Sequence, residues 1–128
     1  MENPPRTVAV VEDDASVRRS IERLLNAHGY KSASYTSAEA FLDRKDGIAI
    51  FCLVLDIQLG GMTGMQLQSW LRESGSTLSI IFVTAMEDEL IEAQAREAGC
   101  VAYLRKPFMA KLLISAVERV LAGLSPSK

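Results

Sequence analysis

The chain has 128 residues, 48% of them hydrophobic and 23% charged, with a formal net charge of −2 at pH 7. That length fits one domain with one sizeable core, spanning 1–128 with its core at 7–124, and the composition excludes a disordered chain. The weak acidity gives no electrostatic reason to bind a phosphate backbone, no apolar run approaches the roughly 18 residues of a membrane span, and the start MENPPRT lacks the basic and apolar regions of a signal peptide; a cytoplasmic protein touching neither nucleic acid nor membrane is expected.

In chain order, Thr7–Val11 is a continuous β-branched run and reads as a strand covered on both faces. Asp14 is placed to cap a helix whose apolar face is Val17, Ile21, Leu24, Leu25 and His28, with Gly29 as its stop. Arg18, Arg19, Glu22 and Arg23 read as its solvated face. A weaker strand runs from Lys31 to Tyr35, and Thr36 with Glu39 suggests a capping box for a short helix carrying Phe41 and Leu42. A third strand covers Ala49–Leu55. Thr63 with Gln66 gives another capping box, opening a helix with Leu67, Trp70 and Leu71. The fourth strand is Leu78–Thr84, followed by a helix facing inward through Leu90, Ile91, Gln94 and Ala98 and stopped by Gly99. Val101–Leu104 is the fifth strand. The last helix is expected to bury Leu112, Leu113, Ala116, Val117, Val120 and Leu121, and the polar Ser125–Lys128 reads as a chain end or the opening of a linker. Cys52 and Cys100 form no metal spacing and are expected as buried free thiols.

Five strands alternating with five helices imply parallel βα units with right-handed crossovers, hence a doubly wound α/β sandwich. The absence of a glycine-rich first turn favours the flavodoxin-like order 2-1-3-4-5 over a dinucleotide-binding fold. Ligands of such sheets sit outside the carboxyl ends of the strands, at the point where the winding reverses. Glu12 and Asp13 end the first strand, Asp56 the third, Thr84 and Ala85 the fourth, and Lys106–Pro107 the fifth.

Taken singly, each of these is a cap, a turn former or a β-former. Taken together, they bring three carboxylates, a hydroxyl and an ammonium to one edge of the sheet. Two like charges ~4 Å apart repel by about 4 kcal/mol at an effective dielectric of 20, so a pKa must rise or a cation must bind. Mg2+ suits an all-oxygen site that leaves room for a phosphoryl oxygen. A carboxylate can also be the nucleophile of phosphoryl transfer, which then needs charge neutralisation at the transferring group. Asp56, Glu12 with Asp13, and Lys106 supply those roles, and Thr84 can hydrogen-bond the acquired phosphoryl group.

The segments VAVVEDDASVRR, LVLDIQLGGMTG, IIFVTA and YLRKPF, in that order, resemble the four motifs of response-regulator receiver domains, and the likeness runs from Thr7 to Leu124. The wording around YTSAEAFLD and CLVLDIQL is most similar to the FixJ-like class with a LuxR-type output. The resemblance implies that Asp56 accepts phosphate from a histidine kinase or phosphotransfer protein. It implies Mg2+ held by Glu12, Asp13, Asp56 and the backbone carbonyl of Gln58, with Lys106 pairing to carboxylate or phosphate. It further implies a switch in which Tyr103 turns inward as Thr84 moves, and a cis Lys106–Pro107 bond. The fourth helix, fifth strand and fifth helix would form the output surface. The first helix and the Pro107–Phe108 loop would receive the kinase.

Gln58, Ala85 and Met86 would flank the phosphate, with Met86 slowing its hydrolysis. Such a domain catalyses only its own phosphorylation and dephosphorylation. It would control its own output domain, here an absent DNA-binding one, or a separate protein target, and it could form a phosphorylation-dependent homodimer. The alternatives are a stand-alone regulator, a phosphate-independent interaction module, and a flavodoxin-type binder of small molecules. Two departures stand out: Glu12 replaces the commoner Asp, and Gly60 stands where proline is frequent, which makes the Gly60–Gly61 segment more mobile.

Overall fold

The computed structural model describes residues 7–123; the readings placed on residues 1–6 and on the tail from 124 to 128 lie outside them. The elements are β1 (Thr7–Val11), α1 (Ala15–Ala27), β2 (Lys31–Tyr35), α2 (Ala38–Leu42), β3 (Ile50–Leu55), α3 (Gly64–Glu73), β4 (Ser79–Thr84), α4 (Glu89–Glu97), β5 (Ala102–Arg105) and α5 (Ala110–Gly123). All pairings are parallel and the strand order is β2-β1-β3-β4-β5, as expected.

The sheet is buried on both faces because its three central strands carry unbroken apolar runs, Val8–Val11, Ile50–Leu55 and Ile80–Val83. Val8, Val10, Cys52, Val54, Ile81 and Val83 pack with Ile21 and Leu25 of α1 and with Leu113, Val117 and Val120 of α5. The alternate residues Ala9, Val11, Leu53, Leu55, Ile80 and Phe82 pack on the other side with Phe41, Leu67, Leu71 and Ala95 from α2, α3 and α4. Strand residues i and i+2 share a face, so this continuous run serves two cores at once. Among the described residues no helix is long and apolar enough to cross a membrane.

The helix ends follow local chemistry. Asp14 accepts from the amides of Ser16 and Val17 at 2.9 and 3.1 Å, and Thr63 and Gln66 form a reciprocal capping box. Each such cap is worth about 1 kcal/mol. Gly29 follows α1 with φ +86°, and the ring Nδ1 of His28, the residue that caps the helix, lies 3.0 Å from Leu24 O.

Four expectations fail. The cap of α2 is Ser37, not Thr36: its hydroxyl accepts from Ala40 N–H at 3.0 Å, because the helix begins where Ala38 and Phe41 can be buried. In α4 only Ala95 is fully buried and Leu90 is 67% exposed, since Asp88 starts the helix in a phase that turns Leu90 outward. In α5 the buried face is Leu113, Ala116, Val117 and Val120, with Ile114 joining it while Leu112 is left 46% exposed. Three adjacent apolar residues cannot all lie on one helical stripe. Cys52 is buried and its thiol is pushed up to about 12 by burial, but Cys100 is only half-buried.

Candidate functional site

Glu12, Asp56 and Lys106 are each held one step past a strand by the backbone ladder. Glu12 N–H donates to Tyr35 O at 3.2 Å, Asp56 N–H to Val11 O at 3.1 Å, and Lys106 N–H to Thr84 O at 2.8 Å. Because the strands are parallel and adjacent in the order β1-β3-β4-β5, these groups gather at one edge.

Lys106 Nζ donates to Glu12 Oε1 at 2.8 Å and to Asp56 Oδ2 at 3.0 Å. Asp56 Oδ1 accepts from Gln58 N–H at 3.0 Å, and Glu12 Oε2 from Asp14 N–H at 3.2 Å. Asp13 completes the group: ligand oxygens of Glu12, Asp13 and Asp56 lie within 4.8 Å of one another. Glu12 and Asp56 are buried and Asp13 is exposed. Burial pushes Glu12 above its ordinary 4.5; the bonds from Lys106 and the Asp14 amide oppose that shift, and the Asp56 charge adds to it. Burial works against the Lys106 charge too, but its bonds to Glu12 and Asp56 outweigh it and hold the ammonium above 10.5.

This donor set fits a hard divalent cation. Its ligand atoms are all carboxylate oxygens, one of them on an exposed residue, and three carboxylates against one ammonium leave an excess of two negative charges when all are ionised. The acids can hold Mg2+ there.

Around this centre, Thr84 is buried at the end of β4 and its hydroxyl accepts from Met86 N–H at 3.2 Å. Ala85 is exposed and Met86 half-buried. Tyr103 lies inside the second core, tilted against Phe82 with ring centroids 6.1 Å apart, and its buried hydroxyl has no hydrogen-bond partner among the described residues. The Lys106–Pro107 bond is cis.

Three residues around the site carry roles that the sequence did not suggest. Arg18, read as part of a solvated face, donates from its guanidinium to Glu12 O at 2.9 Å and so fixes the turn that carries the two acids. Gly64 lets the start of α3 lie against the end of β3: a Cβ there would collide with Asp56 O and stand 2.8 Å from Ile57 Cα. Its only signal was a glycine at the first position of a helix. Glu39 reaches from α2 to the β3–α3 loop, where it accepts from Met62 N–H at 2.7 Å. No local pattern announces that contact.

Fold and site together define an α/β domain of flavodoxin-like topology with an acidic pocket at its carboxyl edge. The family model for the response regulator receiver domain matches residues 8–118, and the chain belongs to that family as a receiver domain of a two-component response regulator. It is 40% identical over 116 residues to the transcriptional regulatory protein TdiR of Thauera aromatica, covering 91% of this chain and 51% of TdiR. A response regulator receiver protein from Burkholderia phymatum is 41% identical, with a TM-score of 0.79 over 93% of this chain and 96% of that one. The structure of FixJ-N is 30% identical, with a TM-score of 0.84 over 98% of each chain. The likeness to FixJ regulators is thus borne out, and the chain spans about half the length of the curated relatives it matches.

Proposed function

We propose that this domain accepts a phosphoryl group from the phosphohistidine of a histidine kinase or phosphotransfer protein onto Asp56. The observation that carries the reading is the position of Lys106 Nζ, within hydrogen-bond distance of both Glu12 and Asp56 across 94 and 50 residues of chain. A carboxylate oxygen of Asp56 attacks phosphorus, the P–N bond breaks, and its electron pair returns to the imidazole. The product is an acyl phosphate, which water later hydrolyses to inorganic phosphate and free carboxylate. Lys106 offsets the charge that develops on the transferring group. Glu12, Asp13, Asp56 and the Gln58 carbonyl would hold Mg2+, which when bound supplies further neutralisation of the phosphoryl oxygens. Gln58, Ala85 and Met86 border the group once it is attached.

The domain acts on no external substrate in this reading. The phosphodonor docks on a groove of about 630 Å3 whose lining includes Val17, Ile21 and Leu24 of α1 together with Lys106, Pro107 and Phe108. Phosphorylation draws Thr84 toward the phosphoryl group and shifts Tyr103, which changes the α4-β5-α5 surface. That surface carries the exposed Leu90, Met109 and Leu112 and the Arg105–Glu92 ion pair at 3.1 Å, and a phosphorylation-dependent homodimer would form there. The output is control of transcription through a DNA-binding domain, supported by relatives named as transcriptional regulatory proteins, and the setting is the cytoplasm.

Incubation with acetyl phosphate and Mg2+ should raise the mass by about 80 Da, one PO3H unit. The Asp56→Asn variant should show no gain. A gain that survives in Asp56→Asn refutes the assignment.

A further inference from the structure

Between the phosphoacceptor strand and α3 the chain makes a short exposed excursion, Gln58–Thr63, whose ends are fixed by different means. At its start Gln58 N–H is tied to Asp56 Oδ1, and Leu59 is buried. At its far end Thr63 caps α3. Gly60 and Gly61 lie between, and two adjacent glycines give this stretch the largest conformational freedom that a chain can have.

From outside the loop a hydrogen bond from this stretch reaches Glu39. Its Oε2 accepts from Met62 N–H at 2.7 Å, and the same oxygen lies 2.5 Å from where a Cβ on Gly61 would stand, with Gly61 at φ +73°. The carboxylate therefore occupies the space that the glycine leaves open. The Met62 amide also holds the Glu39 carboxyl below its ordinary 4.5, as a hydrogen bond to the charged form does.

We propose that Glu39 is a positioning residue of the acidic site: by pinning Gly61–Met62 it fixes the loop that carries Gln58, and so the geometry in which the pocket receives a divalent cation. The inference rests on the functional reading above, because it assumes that the acids and the Gln58 carbonyl take up Mg2+. Glu39 touches neither the ion nor the phosphoryl group. It acts through the backbone, as outer-shell partners of metal ligands do.

The test is calorimetric titration of Mg2+ into wild-type, Glu39→Ala and Glu39→Gln protein, with amide hydrogen exchange of the loop measured alongside. Glu39→Ala should weaken Mg2+ binding by roughly three- to tenfold, at or below the low end of outer-shell effects because the contact is exposed. Its loop amides should exchange faster. Glu39→Gln keeps an acceptor for Met62 N–H and should restore most of both properties. Equal Mg2+ affinity in all three proteins overturns the proposal, as does a Gln variant no better than Ala, which would mean that the charge acts and not the hydrogen bond. Wild-type protein that takes up no Mg2+ would overturn the functional reading instead. The exchange measurement then judges the clamp alone, and unchanged loop exchange in Glu39→Ala refutes it.

Discussion

A carboxylate that is 1% exposed, as Glu12 is, has lost most of its hydration, and the Lys106 ammonium at 2.8 Å returns only part of it. Its pKa accordingly lies above the ordinary 4.5. A group whose pKa is raised on folding contributes stability below its unfolded pKa and loses that contribution as pH rises through the folded one. Without divalent cation, wild-type stability should therefore fall relative to Glu12→Gln as pH rises above about 4.5 and through the raised folded pKa; parallel urea titrations of both proteins at several pH values measure the difference. A constant difference across that range would show that Glu12 is not strained by burial. Asp13 is exposed and bears the repulsion with less loss of hydration, so Asp13→Asn should stabilise the ion-free protein by about 1 kcal/mol, well below the ~4 kcal/mol of a 4 Å pair at a dielectric of 20. At this scale Glu12, Asp13, Asp56 and Lys106 were legible because each lies within two residues of the end of a strand. Arg18 and Glu39 were not, since their partners are a backbone carbonyl and a backbone amide that only the folded turns bring near.

Among the elements, the junction of β3 and α3 is the least forgiving. Gly64 N–H donates to Ile57 O at 3.0 Å, and the helix start lies so close to the strand end that a methyl group would meet backbone rather than a yielding side chain. Gly64→Ala should cost roughly 1–3 kcal/mol by overpacking and displace Asp56 with it. Thermal unfolding would register the first effect, and slower phosphorylation by acetyl phosphate the second. Full stability in Gly64→Ala would show that the two backbones move apart freely. The strand cores were readable because β-branched runs with no polar break suit only a doubly covered sheet. The helices were less so. Leu90 and Leu112 look like core by type, yet a helix buries one stripe, and its phase is set by the cap and by the best-packed set of neighbours, Ala95 in α4 and Leu113, Ala116 and Val117 in α5.

For the molecule as a whole, the order β2-β1-β3-β4-β5 is what makes a site out of residues spread from position 12 to 106. The count of βα units and the lack of a glycine-rich first turn pointed to that order before any contact was known. The same order sets the balance of charge at that edge, three acids around one ammonium, as the strand ends implied. That excess couples the fold to a cation: Mg2+ at 100 times its Kd should add about 2.7 kcal/mol to unfolding by mass action, and Asp13→Asn should lose most of the gain. An equal rise in melting temperature for both proteins would place the ion elsewhere. The most direct measurement is to trap the phosphorylated protein with borohydride, which reduces an aspartyl phosphate to homoserine, and to locate the altered residue by peptide mass spectrometry. The label should fall on Asp56 and require Mg2+. Label on Glu12, Asp13 or any other residue, or label formed equally without the ion, would contradict the account.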